Sequence, residues 1–367
     1  MSTDRRAARD QLDDFATSPL RSVHTTNFPE LVAQLGISLL VTTYQAGRLV
    51  ILRGEQGKLN THFRVFPKPM GLASRADRLA IATRLHIMEF HNQSDVAAKL
   101  EPAGKHDACY LPRTTHVTGD IFAHEIAFAG SELWIANTRF SCLCTLDSKY
   151  SFVPRWMPKF VTQLLPEDRC HLNGLAVIDG KPRYVTALGT TDSRAGWRAN
   201  KANGGILMDV EANEIIARGL SMPHSPRWYN DQLWVLESGD GSIATVDKNT
   251  GQLQRVARLP GFTRGLDFCG PYAFVGLSQI RQSAVFSGIP ITERLKERLC
   301  GVYVVDLRTG QNVAFLRFED KVQEIFAVQV LPRYSFPELL TDEKDEHLAN
   351  SWVVPQFENR DRSMPGF

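Results

Sequence analysis

Met70-Gly71-Leu72-Ala73 is followed, after a short polar turn, by a second apolar run, Leu79-Ala80-Ile81-Ala82-Thr83. The phrase returns as His124-Glu125-Ile126-Ala127 with Leu133-Trp134-Ile135-Ala136-Asn137, and as Asn173-Gly174-Leu175-Ala176 with Tyr184-Val185-Thr186-Ala187. It returns again as His224-Ser225-Pro226-Arg227 with Leu233-Trp234-Val235-Leu236-Glu237, and as Arg264-Gly265-Leu266-Asp267 with Ala273-Phe274-Val275-Gly276. A further copy is divided between the two ends of the chain: Gln323-Glu324-Ile325-Phe326-Ala327-Val328 lies late, and its second strand, Ser38-Leu39-Leu40-Val41-Thr42-Thr43, lies early. Short apolar runs bounded by turn signals mark strands. Most copies continue into a third strand, such as Val302-Tyr303-Val304-Val305-Asp306, and pass through turns such as Arg308-Thr309-Gly310 into a fourth. A period of roughly 40 to 50 residues with four strands per copy is that of a propeller blade. The sequence therefore predicts an all-β fold, a six-bladed β-propeller closed by N- and C-terminal strands that share one blade.

By length alone, 367 residues suggest two or three domains, but ring closure predicts one. Residues 23–334 are expected to form the propeller, with 1–22 as a polar N-terminal extension and 335–367 as a tail that packs loosely or stays partly disordered. A short helix is expected over Asn27 to Gly36, where an N-cap, an early proline, an acidic first turn and a glycine stop follow one another. A formal charge of +2 gives no field that gathers nucleic acid or an anionic membrane. The charged start lacks the core of a signal peptide, and no apolar run reaches the roughly 18 residues of a membrane span, so a cytoplasmic location is expected. Six cysteines without a framework spacing read as small buried hydrophobes.

Three segments interrupt the repeat: His91 to Phe122, Asp192 to Gly204 and Gln279 to Cys300. Read as links between second and third strands, or between one blade and the next, all three emerge on one face. Loops of that length on a rigid scaffold carry function. Near that face the inner strands begin with Met70, His124, Asn173, His224, Arg264 and Gln323. His171 lies two positions before Asn173, so strand alternation sends it to the same side. Three neutral imidazoles with an open position suit zinc, iron or copper at a catalytic site, and His124, His171 and His224 are the expected ligands. His106 and His116 are alternatives, and hydrogen bonding to channel water is the other use open to such histidines. Glu125, Tyr110 and Asp107 are candidates for moving protons. Asn137, Arg139, Asn173, Arg198 and Arg264 are candidates for holding an anionic or amino-acid-like substrate, because guanidinium forks match carboxylates and phosphates. Neither a phosphate-cradling glycine loop nor a nucleophile elbow is present.

Leu40-Val41-Thr42-Thr43-Tyr44-Gln45-Ala46-Gly47, Trp134-Ile135-Ala136-Asn137-Thr138-Arg139-Phe140, His171-Leu172-Asn173-Gly174-Leu175-Ala176 and Pro223-His224-Ser225-Pro226-Arg227 resemble a bacterial family known only as a domain of unknown function. The resemblance implies a propeller and supplies no activity. More distantly, the chain is similar to six-bladed propeller enzymes: peptide-amidating lyases with a three-histidine zinc site, and calcium lactonases of the regucalcin and paraoxonase type. The lyase likeness fits His124, His171 and His224 by residue type. The lactonase pattern needs oxygen ligands, of which only Asn173 and Glu324 match, and imidazoles do not suit calcium. Two readings stand: a metal-dependent enzyme, lyase or hydrolase before oxygenase, acting on a small anionic or amino-acid-like substrate; or a non-catalytic propeller that captures a metabolite or peptide on the same face.

Overall fold

In the computed structural model, which describes residues 20–280, 287–342 and 344–354, six sheets, each with four antiparallel blade strands, stand in a ring. Blade 1 is the closing blade. Its inner strand, Ala327–Pro332, comes from the end of the chain and pairs with Ile37–Thr42 from the beginning, which is followed outward by Arg48–Glu55 and Lys58–Val65. The inner strands of blades 2 to 6 are Leu72–Arg75, Ala123–Ala129, Leu172–Ile178, Pro223–Tyr229 and Phe262–Cys269. Each touches the next, and the last meets the inner strand of blade 1, so the ring closes around a channel.

The glycine of the repeated phrase explains how the blades approach. A Cβ on Gly174 would stand 2.3 Å from both Pro226 Cδ of blade 5 and Thr186 Oγ1. Gly265, at φ +81°, would put one 2.6 Å from the amide nitrogen of Val328 in the closing blade. Only glycine at these points lets inner strands meet backbone to backbone. The apolar residues of the second and third strands then fill the space between sheets. Leu39, Val41, Val50, Val302 and Val304 share one such cluster, and Leu207, Val235 and Ala244 share another. Five of the six cysteines are buried and none is in a disulfide.

Both ends of the described chain add to sheets. Ser22–His24 pairs antiparallel with Gln311–Phe318 as a fifth strand of blade 6. The helix is Phe28–Gln34, with Pro29 in its first turn and Gly36 beyond its end at φ +61°. Asn27 does not cap it; its side chain donates instead to Val313 O at 2.9 Å. Where the sequence predicts a loose tail, Pro337–Leu339 pairs parallel with Ala108–Tyr110 as a fifth strand of blade 2. Buried Glu338 accounts for this, because Arg64 at 2.8 Å and His62 at 3.0 Å ring its carboxylate. Its pKa falls to about 2, the contacts with His62 and Arg64 outweighing its burial. Most of the predicted N-terminal extension (1–19) and the end of the tail (355–367) lie outside the described residues. Among the described residues no helix is long and apolar enough to cross a membrane.

Most of the first interruption does not reach the channel face; only its end, residues 118–122, which links blade 2 to blade 3 and carries Phe122, does so. His86–Asn92 and Ala108–Val117 are the third and fourth strands of blade 2, so the excursion between them, which carries the helix Ser94–Ala97, emerges on the opposite face. Residues 188–204 and 279–300 do join second to third strands, in blades 4 and 6. Residues 281–286 of the latter lie outside the described residues.

Candidate functional site

Where the inner strands begin, the channel holds a chamber of about 150 Å³. Blade 1 contributes Tyr44, Glu324 and Phe326; blade 3, Phe122 and His124; blade 4, His171, Leu188 and Trp197; blade 5, Met222 and His224; blade 6, Phe262 and Arg264. Blade 2 contributes nothing, and Met70 belongs to an apolar cluster with Ala73 and Ile126 instead.

Two of the histidines are built alike. His124 turns Nδ1 to Phe122 O at 3.1 Å and Thr138 Oγ1 at 2.9 Å. His224 turns Nδ1 to Met222 O and Ser238 Oγ, both at 2.9 Å. In each blade the carbonyl belongs to a residue with positive φ just before the inner strand, +52° at Phe122 and +46° at Met222. The hydroxyl follows the second strand. A carbonyl only accepts, so Nδ1 carries the hydrogen and Nε2 keeps its lone pair. Both rings are 7% exposed or less. Burial, reinforced by the neighbouring charges of His171 and Arg264, holds both well below the usual imidazole pKa. They are neutral at pH 7.

His171 reaches the same chamber by another route. It lies in the link before its strand, at φ +53°, and its Nδ1 faces both oxygens of Asp168 at 2.9 Å. Asp168, itself at φ +51°, also accepts Trp197 Nε1–H at 3.1 Å. Two non-glycine residues in the left-handed region, tied by one carboxylate, are the kind of local strain that collects at functional sites. The rings of His171 and His124 meet edge to face with centroids 4.8 Å apart, and Trp197 stands 4.5 Å from His171. Among the described residues no hydrogen bond is made to Nε2 of any of the three histidines.

Arg264 supplies the chamber's cation. Its guanidinium lies 3.5 Å from the centre of the Phe326 ring and donates to Glu324 Oε1 at 3.1 Å. Burial lowers its pKa against the attraction of Glu324, and burial raises that of Glu324 against Arg264. Tyr44, 5.5 Å from Phe326, has its hydroxyl pKa raised by burial and by Glu324.

Outside the chamber, and sharing Phe122, His171 and Trp197 with it, is a vestibule of about 440 Å³. Arg139, Arg194, Arg198, Glu167 and Asp168 line it. Arg139 lies 4.8 Å from the Phe122 ring and is held by Asp120 at 3.3 Å.

The other predicted residues go elsewhere. Asn173 sits in a bulge of its strand, donates to Pro223 O at 3.0 Å and accepts from Thr186 at 2.7 Å, so it joins blades 4 and 5 and does not face the channel. Asn137 is buried and accepts Phe140 N–H at 3.1 Å, closing its own turn. Tyr110 packs in the outer strand of blade 2 beside Tyr334, and Asp107 accepts from the backbone of Phe336 at 3.0 Å. Both belong to the mooring of the tail. His106 faces Glu101 O and His116 faces Tyr150 O, each at 3.2 Å, and neither comes near His171.

Glu125 does line the channel, but below the chamber. A second cavity, of about 190 Å³, is bounded by inner strands of all six blades. In it Arg227 of blade 5 reaches across to Glu125 of blade 3 at 2.8 Å. Asp267 stands beside them and accepts from the amides of Phe268 at 2.9 Å and Val330 at 2.7 Å. Burial raises the pKa of Glu125 and lifts that of Asp267 to about 6.

The chamber's donor set suits a transition metal: three imidazoles, each with one nitrogen fixed by a carbonyl or carboxylate, is the arrangement that orients histidine ligands. Among the described residues no three His, Cys, Asp or Glu side chains stand at the separations of a formed metal site.

The family model described as "Domain of unknown function (DUF4915)" matches residues 26–340, and the chain belongs to that family. Among curated proteins none matches the chain in sequence. Of solved structures, a chain of a nidogen/laminin complex superposes with a TM-score of 0.53 at 12% identity, covering 81% of this chain and 99% of that one. A protein of unknown function from Bacteroides caccae gives a TM-score of 0.49 at 10% identity, covering 80% and 98%. At such identities the nidogen/laminin likeness speaks for the fold alone.

Proposed function

We propose that the chamber is the active site of a metal-dependent enzyme, a lyase or hydrolase, in which His124, His171 and His224 hold a transition metal ion through Nε2. One observation carries the reading: on three successive blades a histidine fixes Nδ1 to its own framework and leaves Nε2 to a shared cavity. Bound there, such an ion lowers the pKa of a water or polarises a carbonyl. The residues of this chain would do the rest. Arg264, held flat on Phe326, offers guanidinium N–H groups to a substrate oxygen. Tyr44 and Glu324, at the same wall, are the groups placed to exchange a proton. Phe122, Phe262 and Trp197 exclude water from the reacting end.

The test is a paired measurement of metal affinity and turnover over a panel of small amide, ester and hydroxy-acid substrates. His224→Ala is expected to lose both metal and turnover, and Arg264→Ala to raise KM while metal affinity stays as in the wild type. Turnover that survives chelation and the His224→Ala change would end the metal reading. A specific observation favours a second reading, a propeller that binds a small acid without reaction: the chamber's imidazoles are not already at coordination distance. Under it, a metal-free His124→Ala/His224→Ala variant would keep its ligand.

A further inference from the structure

The chamber and the vestibule differ in charge, and the difference orients the ligand. Inside, His124 and His224 are neutral, the walls are aromatic, and the cation of Arg264 is answered by Glu324. Such a chamber favours an uncharged polar group, since a buried charge without a counter-charge is costly. In the vestibule most charges are also answered. Arg139 is paired with Asp120, Glu167 with Arg169 at 2.9 Å, and Asp168 with His171 and Trp197. Arg194 and Arg198 are different. Neither meets a carboxylate among the described residues; the guanidinium of Arg198 stands 5.5 Å from the Trp197 ring, on the boundary between the two spaces.

We infer that Arg194 and Arg198 form the subsite for a distal anionic head, so that the ligand is an elongated acid whose uncharged end, an amide, ester or carbonyl, enters the histidine chamber. This rests on the proposed reading of the chamber as the reacting site. The loop that carries the two arginines is tied down at several points. Asp192 accepts from Thr162 N at 3.1 Å and Arg169 Nη1 at 2.6 Å, Ala195 N donates to Glu167 O at 3.0 Å, and Trp197 is pinned by Asp168. Gly196 fits tightly within it, because a Cβ there would stand 2.9 Å from Thr191 Cβ. A tied loop fixes the backbone from which the two guanidinium groups extend, which lowers the ordering cost of binding. The head matches a carboxylate or a phosphate monoester, both of which an arginine fork accepts.

The experiment is a ligand-observed NMR titration of the chelator-treated full chain with 4-acetamidobutyrate, with N-butylacetamide, which has the amide end without the acid, and with inorganic phosphate. The wild type is expected to prefer the acid over the neutral amide by about tenfold, with the preference shrinking as salt is added. Phosphate is expected to compete with the acid and not with the amide. In Arg194→Gln/Arg198→Gln the preference should fall to within about twofold, with the thermal midpoint kept because both side chains are exposed. Equal affinity for acid and amide in the wild type, an undiminished preference in the double variant, or no saturable binding of either compound would overturn the subsite. Chelation removes metal from the question. A chain that binds no metal yet shows the preference refutes the metal reading alone, and a metal-binding chain without the preference refutes the subsite alone.

Discussion

At one end of the channel three imidazoles each commit one nitrogen to the framework and keep the other for a cavity; further down, Arg227 commits all of its nitrogens to protein. It donates through Nε to Leu266 O, through Nη1 to Pro226 O and through Nη2 to Glu125, while Asp267 takes backbone amides from Phe268 and Val330. Both clusters are buried, ionisable and lined by inner strands. Among the described residues the upper one leaves one nitrogen of each of three imidazoles unbonded, whereas in the lower one the three nitrogens of Arg227 and both oxygens of Asp267 are bonded, leaving only Glu125 Oε2. Perturbed pKa values alone would have flagged the lower cluster as strongly as the upper, because structural ion pairs also perturb them. What separates the two is where the remaining lone pairs go. The Arg227–Glu125 pair joins blades 3 and 5, which are not neighbours in the ring, and so bars the channel below the chamber.

The largest effect is expected at the barrier. Arg227→Ala leaves Glu125 buried with no counter-charge and should cost about 3–5 kcal/mol in urea denaturation, while Arg227→Met/Glu125→Gln should recover most of it. If the single change costs less than about 1 kcal/mol, the pair is not the structural bolt described here. His224→Ala should cost less, about 1–2 kcal/mol for the lost contacts to Met222 and Ser238, yet abolish binding in the chamber. A result in which Arg227→Met/Glu125→Gln, and not His224→Ala, abolishes binding would reverse the comparison.

Acid should also separate the two ends, because their pKa shifts have opposite consequences. His124 and His224 are depressed below their unfolded value, so between that lowered value and about 6.5 the unfolded chain binds more protons, and their contribution to stability is lost as the pH falls below about 6.5. Asp267 is raised to about 6, so between about 6 and its ordinary 3.8 the native chain binds the extra proton, and its contribution improves as the pH falls. Denaturation curves from pH 7.5 to 5 should therefore show a fall that His124→Gln/His224→Gln makes shallower and Asp267→Asn makes steeper. Identical profiles in all three proteins would contradict the assigned protonation states.

The smallest expected effect is on the histidines' own titration. Arg264 is among the causes that depress both His124 and His224, after burial. Arg264→Gln should move their ring resonances' midpoints upward in NMR without bringing them to the exposed value, since burial remains. No movement would place the guanidinium outside electrical reach of the imidazoles.

The propeller is legible because short apolar runs bounded by turns repeat along the chain, and the split copy is completed by pairing Ala327–Pro332 with Ile37–Thr42. The chamber histidines were legible in part. His124 and His224 follow from their place at the head of inner strands. His171 was found through an alternation argument that the structure does not follow, since a bulge at Asn173 and a left-handed turn at His171, not a shared strand face, bring it in. Asn173 and Asn137 read as polar groups at the site, but an amide has donors and acceptors enough to serve equally well as a joint between strands. Tyr110 and Asp107 were misplaced because Ala108–Val117 is a strand of blade 2 and not a loop, which moves both to the outer edge of the ring. Asp168 was missed altogether. Its one signal was an acid three residues before a histidine, and that spacing acquires meaning only in the turn that the pair itself forms.

The central claim is that the channel's upper histidines are ligands and its lower ion pair is structure. The most direct test is elemental analysis of the untagged protein grown with metal supplement, set beside His124→Ala and Glu125→Gln, two neighbours on one strand that serve the two ends. The account predicts about one equivalent of zinc, iron or copper in the wild type, the same in Glu125→Gln, and none in His124→Ala. No metal in the wild type, or metal that survives His124→Ala, would contradict it.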